Sequence, residues 1–273
     1  MAERDGDPSE DGPVAAPVMD ATFESGGLTL SGHLAEPAHA AVEVPGLVLC
    51  HGFPTRGRES PQSGKSFPEL AQRIAAELGW LVLTMNFRGC GKAEGDFSLV
   101  GWLDDVHAAV DHVRDLGVDG VWVCGFGTGG SLAVCEGARN PEVRGVAALA
   151  APGDFDDWAR HPRRLLLHAR QTGVIKDPDF PAQFDRWSAE LREVRPRDAA
   201  RELAPRPLLV VHGDSDDLTP LDDGRAMARA HGSAELRILS GAGHELRHDP
   251  RAVAVLLGWL ARQQIDAAVA AEA

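Results

Sequence analysis

The feature that most constrains the fold is a repeated alternation of short apolar runs with helical patterns, separated by glycine-containing turns. The runs predicted to be strands lie at 46–50, 80–87, 120–124, 143–151, 206–213 and 234–241. The segments predicted to be helices lie at 66–78, 98–116, 129–139, 220–231 and from 249 onward. A strand that returns through a helix runs parallel to its predecessor. The order therefore predicts an α/β fold, in which helices flank a mostly parallel sheet.

A hairpin precedes this alternation. Residues 21–37 form two alternating stretches around Gly26 and Gly27, a pair that favours a tight turn between antiparallel strands. Its two strands bring the expected sheet to eight.

Polar residues and prolines mark where helices begin. Ser66 with Glu69 has the spacing of a capping box and predicts a helix that starts at residue 66. Thr219 followed by Pro220 is typical of an N-cap and a first helical position, and Gly232 is expected to end that helix.

The chain is expected to form one α/β domain over residues 20–263, with an acidic, disordered tail at 1–19 and a C-terminal tail at 264–273. Residues from about 153 to 203 break the alternation with an Arg- and Asp-rich segment that contains scattered aromatic residues. We expect a short helical insertion that forms a lid over the carboxyl edge of the sheet, where open α/β sheets bind ligands.

Charge and composition exclude several classes of partner. The chain of 273 residues has a net charge of −14, which disfavours nucleic acid and anionic membrane surfaces. It contains no apolar run of roughly 20 residues that would span a bilayer, and its acidic N-terminal stretch lacks the apolar segment of a signal peptide. The four cysteines have no CxxC spacing and are expected to be reduced thiols in a cytoplasmic protein.

The stretch VCGFGTGGSL, at 123–132, carries the most specific local signal. A strand runs through small residues directly into a helix, as in the G-x-S-x-G turn that displays a catalytic serine. Gly125 and Gly129 occupy the two glycine positions of this pattern. The serine position is occupied by Gly127.

A dinucleotide-binding turn is the rival interpretation of these glycines. It is disfavoured because the turn follows a mid-chain strand, not the first strand of the fold. No acidic residue ends the following strand, where a ribose partner would be needed.

Three other strand ends carry polar residues in a matching order. His51 and Gly52 follow the run at 46–50. In the stretch VVHGDSDDLTP, at 210–220, an acidic cluster follows the end of another strand. His244 lies in a glycine-bounded loop after the next strand. Nucleophile, acid and histidine in this order, each after a successive strand, are the order expected of a triad built on parallel strands.

Together these motifs resemble the α/β-hydrolase fold superfamily, over roughly residues 20–263, and most of all small bacterial esterase- or serine-peptidase-like hydrolases. The stretch 86–97 is also similar to the loop after the fourth strand in many members. The resemblance implies Asp216 as the acid and His244 as the base. It implies backbone N–H groups of Phe53 and Thr128 as the oxyanion hole.

Other assignments of the polar residues stay open. Asp214 and Asp217 flank Asp216 and are alternatives to it, and His244 is alternatively a surface-loop histidine. His51 and His212 are interpreted as structural. A metal site on these acids and His244 lacks a second histidine at ligand spacing, so neither metal nor cofactor is expected.

Gly127 leaves two hypotheses for function. The first is a pseudoenzyme, non-hydrolytic or very weakly hydrolytic, that binds a small ligand or a partner. The alternative is a hydrolase of esters, thioesters or lactones in which His244 and Asp216 activate water. Thr128, Ser131 and Cys124 are the residues considered as replacement nucleophiles, and the oligomeric state is left open.

Overall fold

A computed structural model describes residues 18–38, 44–54 and 60–271. Within these residues one sheet has the order β1-β2-β4-β3-β5-β6-β7-β8. Its strands are β1 Val18–Ser25, β2 Leu28–Ala35, β3 Gly46–Cys50, β4 Leu81–Met85, β5 Val121–Phe126, β6 Val143–Leu149, β7 Leu208–Gly213 and β8 Glu235–Leu239. β2 pairs antiparallel with β1 and β4, and the other neighbours pair in parallel. The predicted α/β class and its eight-stranded, mostly parallel sheet are confirmed.

Helices cover both faces of this sheet. They are α1 Ser60–Leu78, α2 Leu99–Asp115, α3 Thr128–Arg139, α4 Asp156–Arg160, α5 Pro162–Thr172, α6 Phe184–Glu190, α7 Pro196–Leu203, α8 Leu221–His231 and α9 Pro250–Ala271. Side chains alternate along β3, so Leu47 and Leu49 join the core under α1 and α9, whereas Val48 and Cys50 join the core under α2 and α3. A strand buried on both faces explains why its sequence is continuously apolar.

The predicted hairpin is present. Ser25 pairs with Leu28 at the end of the β1–β2 ladder, and the turn between them is made by Gly26 and Gly27 with φ values of 58° and 80°. Two successive positive φ values are those of a type I′ turn, which glycine adopts without a β-carbon clash.

Two predicted helix starts have different outcomes. Ser98 caps α2, where its hydroxyl accepts a hydrogen bond from the Gly101 N–H at 2.9 Å. α8, in contrast, is preceded by Pro220 and not by Thr219 as its cap, so that prediction was wrong. The Thr219 N–H instead donates to Asp216 at 2.9 Å. Thr219 therefore belongs to the loop at 214–220 between β7 and α8, called the acid loop below, and not to the helix.

The predicted start of α1 was also wrong. The helix begins at Ser60 and contains Pro68, so Ser66 and Glu69 lie inside it and form no capping box at its start. Residues 60–65 carry no apolar periodicity, which is the signal that would have revealed a helix there.

The predicted C-terminal boundary at residue 263 was too early, because α9 continues to Ala271. The alanine-rich end of the chain has high helix propensity and extends the helix, although its larger apolar side chains stay exposed. Ile265 and Val269 are 62% and 63% exposed. At the other end, β1 already begins at Val18, and most of the expected 1–19 tail lies outside the described residues. No described helix has the length and hydropathy of a membrane span.

The segment from 153 to 203 contains four short helices, α4 to α7. The rings of Trp158 and His168 lie 5.2 Å and 5.6 Å from the ring of Phe53, just after β3. The Trp187 indole N–H donates to the Phe97 carbonyl oxygen at 3.0 Å. α7 packs against α3 and α8 and so belongs to the helical layer. α4 and α5 contact the segment that follows β3, and α6 contacts the loop after β4.

Candidate active site

The turn between β5 and α3 places Gly127 above the sheet. Gly127 has φ 53° and ψ −127°, and α3 starts at the next residue. A positive φ of this kind strains any residue that has a β-carbon. The local backbone is therefore that of a nucleophile elbow, with a sharp strand-to-helix turn that displays one residue.

The neighbouring glycines are required by close backbone packing. A β-carbon on Gly125 would collide with the carbonyl oxygen of Gly129, and one on Gly129 would collide with the carbonyl oxygen of His51. A β-carbon on Gly127 would instead meet His244 Nε2 at 3.3 Å and the Gly52 Cα at 3.6 Å. The flanking positions thus exclude side chains, whereas a β-carbon at position 127 would make a tight contact with the end of the His244 side chain and none shorter with the backbone.

His244 and Asp216 are in contact, as the resemblance to the α/β-hydrolase fold implies. His244 Nδ1 lies 3.0 Å from Oδ2 and 3.2 Å from Oδ1 of Asp216. The Asp216 side chain is fully buried, and the His244 side chain is 21% exposed. The remaining ring nitrogen, Nε2, points toward Gly127, so the pair has the geometry of the acid and base of a triad.

The Asp216 carboxylate is held by the loop that carries it. Its Oδ1 accepts the backbone N–H groups of Leu218 and Thr219, each at 2.9 Å. Burial acts to raise its pKa, but the hydrogen bonds from His244, Thr219 and Leu218 outweigh burial. The pKa of Asp216 therefore lies below its usual range, and the carboxylate is ionised beside His244.

The two neighbouring acids are not alternatives to Asp216. Asp214 is exposed and accepts the Gly241 N–H at 2.7 Å, a hydrogen bond that lowers the pKa of its carboxyl group. Asp217 is also exposed. Asp214 thus joins the acid loop to the loop before His244, and Asp216 alone of the three faces the imidazole.

The residues expected to supply the oxyanion hole flank the Gly127 position. Thr128 is the first residue of α3, and Phe53 follows Gly52, whose Cα approaches the Gly127 side-chain position. The Phe53 ring lies in an aromatic cluster, 5.0 Å from Phe97 and 5.5 Å from Trp102. This packing fixes the segment after β3.

The replacement nucleophiles considered from the sequence are poorly placed. Ser131 is fully buried, and its hydroxyl donates to the Pro152 carbonyl oxygen at 2.6 Å. Cys124 is buried within β5, and burial raises the pKa of its thiol far above the usual range, which disfavours the reactive thiolate. Thr128 is 5% exposed as a whole residue and lies one residue beyond the elbow apex.

Sequence reasoning missed the partner of the arginine in the loop at 86–97. Arg88 Nη2 lies 2.6 Å from Oδ1 of Asp105, whose side chain is fully buried, and the Arg88 N–H donates to Oδ2 at 2.9 Å. The Trp102 indole N–H donates to the Arg88 carbonyl oxygen at 3.0 Å. The available signal was an aspartate on the apolar stripe of α2, since Asp105 lies one turn from Trp102 and beside Val106.

Both ring nitrogens of His51, a residue interpreted as structural from the sequence, are near backbone groups. Its Nδ1 lies 2.7 Å from the Gly52 carbonyl oxygen, and its Nε2 accepts the Phe87 N–H at 3.5 Å. Burial is the main cause that lowers the pKa of His51, and the charge of Arg247 adds to it. The ring therefore joins β3 to the loop after β4.

A cavity of about 760 Å³ reaches Gly52, and its lining also includes Pro54, Ser31, Thr84 and Asn86. Among the described residues that line it, Gly52 is the one whose Cα approaches the Gly127 side-chain position, and Gly127 and His244 themselves lie outside the lining. The size of the cavity is that of a small-molecule site. Within the described residues, no three His, Cys, Asp or Glu side chains gather in a way that would hold a metal ion.

The sheet order, the elbow and the His244–Asp216 pair define a protein built like the α/β serine hydrolases. The profile of the Alpha/beta hydrolase family matches residues 47–256, and the chain belongs to this family. A monoacylglycerol lipase from Mycolicibacterium smegmatis is 26% identical over an alignment of 256 residues. The alignment covers 77% of this chain and 84% of the lipase. Esterase YjfP from Escherichia coli is 26% identical over 63% of this chain and 61% of the esterase.

Solved structures with the same fold include several esterases. Est1E from Butyrivibrio proteoclasticus superposes with a TM-score of 0.69 at 19% identity, over 92% of this chain and 99% of that chain. The esterase domain of a Rhodothermus marinus protein superposes with a TM-score of 0.66 at 22% identity, over 90% of this chain and 97% of that chain. At these identities the likeness concerns the fold.

Proposed function

We propose that this protein is a pseudoenzyme of the α/β hydrolase family, which binds a small ligand at the Gly127 site without covalent acyl transfer. The observation that carries the proposal is the β-carbon position of Gly127, 3.3 Å from His244 Nε2. It is the position from which a serine hydroxyl would reach the base, and it carries no side chain. Without an attacking oxygen no acyl-enzyme forms.

The remaining parts of the site support ligand binding. His244 presents Nε2, and the N–H groups of Phe53 and Thr128 are proposed to bind an ester or carboxylate oxygen. The relatives described as a monoacylglycerol lipase and an esterase favour a ligand of the ester class. A ligand bound at Gly127 would lie next to the cavity that reaches Gly52.

The helices α4 and α5 are proposed to act as a lid over this site. Trp158 and His168 project from them onto Phe53. Movement of these two helices would uncover the Phe53 ring and open the site from the side of the insertion.

The four cysteines are free and buried, which supports the expected cytoplasmic location.

The test compares esterase activity in the natural protein and in Gly127→Ser, with p-nitrophenyl acetate and butyrate as substrates. We expect no turnover above background in the natural protein and measurable turnover in Gly127→Ser. Gly127→Ala is the matched control, because it adds the β-carbon without the hydroxyl. Gly127→Ser combined with His244→Ala is expected to be inactive.

Two results would contradict the proposal. Turnover by the natural protein that His244→Ala abolishes would mean that the dyad activates water. Turnover by the natural protein that Thr128→Ala abolishes would mean that Thr128 supplies the nucleophile. Ligand binding is checked separately, by measuring whether methyl butyrate shifts the His244 imidazole resonances in the NMR spectrum of the natural protein but not in Gly127→Ala.

A further inference from the structure

A second histidine, His212, lies beside the Asp216 carboxylate. It is the penultimate residue of β7, and its side chain is fully buried. Its Nε2 lies 3.0 Å from the carbonyl oxygen of Thr219 and 3.6 Å from Oδ2 of Asp216. A carbonyl oxygen only accepts hydrogen bonds. Nε2 of His212 therefore carries the proton, and this N–H donates a hydrogen bond to the Thr219 carbonyl oxygen.

The other ring nitrogen of His212 fixes this tautomer. Nδ1 is buried and has no hydrogen-bond partner within the described part of the chain. A β-carbon on Gly224 of α8 would lie 2.8 Å from it. A proton on Nδ1 would be a buried donor without an acceptor, which is costly. The ring therefore fits against α8 because residue 224 has no side chain.

A series of hydrogen bonds connects His212 to His244 through Thr219 and Asp216. His212 holds the Thr219 carbonyl oxygen, and the Thr219 N–H holds Oδ1 of Asp216 at 2.9 Å. Oδ2 of the same carboxylate lies 3.0 Å from His244 Nδ1. We propose that His212 is the positioning residue that presents Asp216 to His244. This inference rests on the proposed function, because it concerns the orientation of the group that faces the ligand.

Apolar packing alone would not need a histidine at this position. A leucine would fill much of the same volume next to Gly224, but it would leave the Thr219 carbonyl oxygen without its donor. The loop would then be free to move relative to β7, and Asp216 with it. A carboxylate displaced by even 1 Å orients an imidazole poorly.

The experiment compares His212→Leu with His212→Gln, whose side-chain amide can still donate to the Thr219 carbonyl oxygen. The first readout is the far-downfield proton resonance of His244 Nδ1–H in the natural protein, assigned by its loss in His244→Ala. We expect His212→Leu to broaden or abolish this resonance and His212→Gln to retain it. The matched control is His231→Leu, which removes a buried histidine whose Nε2 lies 2.9 Å from the Arg206 carbonyl oxygen and should leave the resonance unchanged.

The second readout uses the serine-restored background. In Gly127→Ser, adding His212→Leu is expected to lower kcat/KM for p-nitrophenyl acetate about 10-fold, whereas adding His212→Gln lowers it no more than about 2-fold. Gly224→Ala would push the His212 ring from its site and is expected to act like His212→Leu. It is used in place of His212→Leu if the His212→Leu protein does not fold.

The inference is overturned if a folded His212→Leu or Gly224→Ala protein keeps both the resonance and the restored activity. It is equally overturned if His212→Gln behaves like His212→Leu, since only the volume of the side chain would then matter. Hydrolysis by the natural protein would contradict the proposed function but would leave the resonance test of His212 intact.

Discussion

His244 Nε2 faces Gly127 at a distance of 3.3 Å from the position that a β-carbon would occupy there. The acid, the base and the sharp turn are therefore assembled around a position without a side chain. Because the φ of Gly127 is 53°, the backbone has the conformation in which a nucleophile would be displayed. The turn thus has the shape of a nucleophile elbow. Because residue 127 is glycine, this conformation involves no β-carbon clash.

Restoring a side chain at this position is expected to lower stability. Gly127→Ser and Gly127→Ala should each reduce the free energy of unfolding by about 1–3 kcal/mol, because a β-carbon at positive φ is strained. The strain comes from the β-carbon, so the two variants should lose similar amounts although only serine gains activity. Urea denaturation of the three proteins measures this, and an unchanged stability would mean that the turn relaxes when a side chain is present.

The flanking glycines are expected to be more sensitive than Gly127. A β-carbon on Gly125 or Gly129 would strike backbone oxygens, which cannot rotate away, so Gly125→Ala and Gly129→Ala should each cost about 3 kcal/mol. Gly258→Ala is the control, because only Arg262 Nη1 at 3.7 Å lies near its β-carbon and alanine favours a helix interior. Losses at residues 125 and 129 no larger than at Gly127 would contradict the close packing.

The sequence was informative where local chemistry decides the structure. The apolar runs predicted the strands, the Gly26-Gly27 pair predicted the turn, and Ser98 predicted the start of α2. The acidic cluster and His244 were expected to lie together because both follow strands of a parallel sheet, whose carboxyl ends lie at one edge, and the resemblance to the α/β-hydrolase fold singled out Asp216 within the cluster.

The remaining features depend on partners that are distant in the chain. Thr219 was assigned to a helix cap, but Asp216 and His212 hold its backbone. Asp105 interrupts the apolar stripe of α2, which the local pattern shows, but that pattern does not identify Arg88, in the loop after β4, as its partner. Local pattern cannot reveal such contacts, since they exist only once the sheet has formed.

The pair formed by Arg88 and Asp105 is expected to stabilise the loop after β4. Asp105→Ala should reduce the free energy of unfolding by about 3–5 kcal/mol, because it leaves the Arg88 guanidinium without its buried partner. Glu77→Ala is the matched control, since Glu77 pairs with Arg73 at 2.7 Å on the surface with both side chains about half exposed and should cost less than about 1 kcal/mol. Guanidinium denaturation distinguishes the two, and equal losses would mean that burial adds nothing to the Arg88 pair.

The acid dependence of stability is expected to report on Asp216. Its pKa in the folded protein is lowered, because hydrogen bonds to the carboxylate outweigh burial, whereas an unfolded aspartate has a pKa of about 3.9. The ionised carboxylate thus stabilises the fold above about pH 4, and this stabilisation is lost as the pH falls through the lower pKa of the folded state. Asp216→Asn should therefore be less stable than the natural protein near neutral pH, and the difference should shrink below about pH 4.

Urea denaturation of both proteins from about pH 7 down to about pH 3 measures this difference. Asp217→Asn, at an exposed neighbouring position, is the control and should change stability by less than about 0.5 kcal/mol throughout. A difference for Asp216→Asn that stays constant down to the lowest pH would mean that the substitution acts through packing. In that case the carboxylate would not be the group that the Leu218 and Thr219 N–H groups and His244 stabilise.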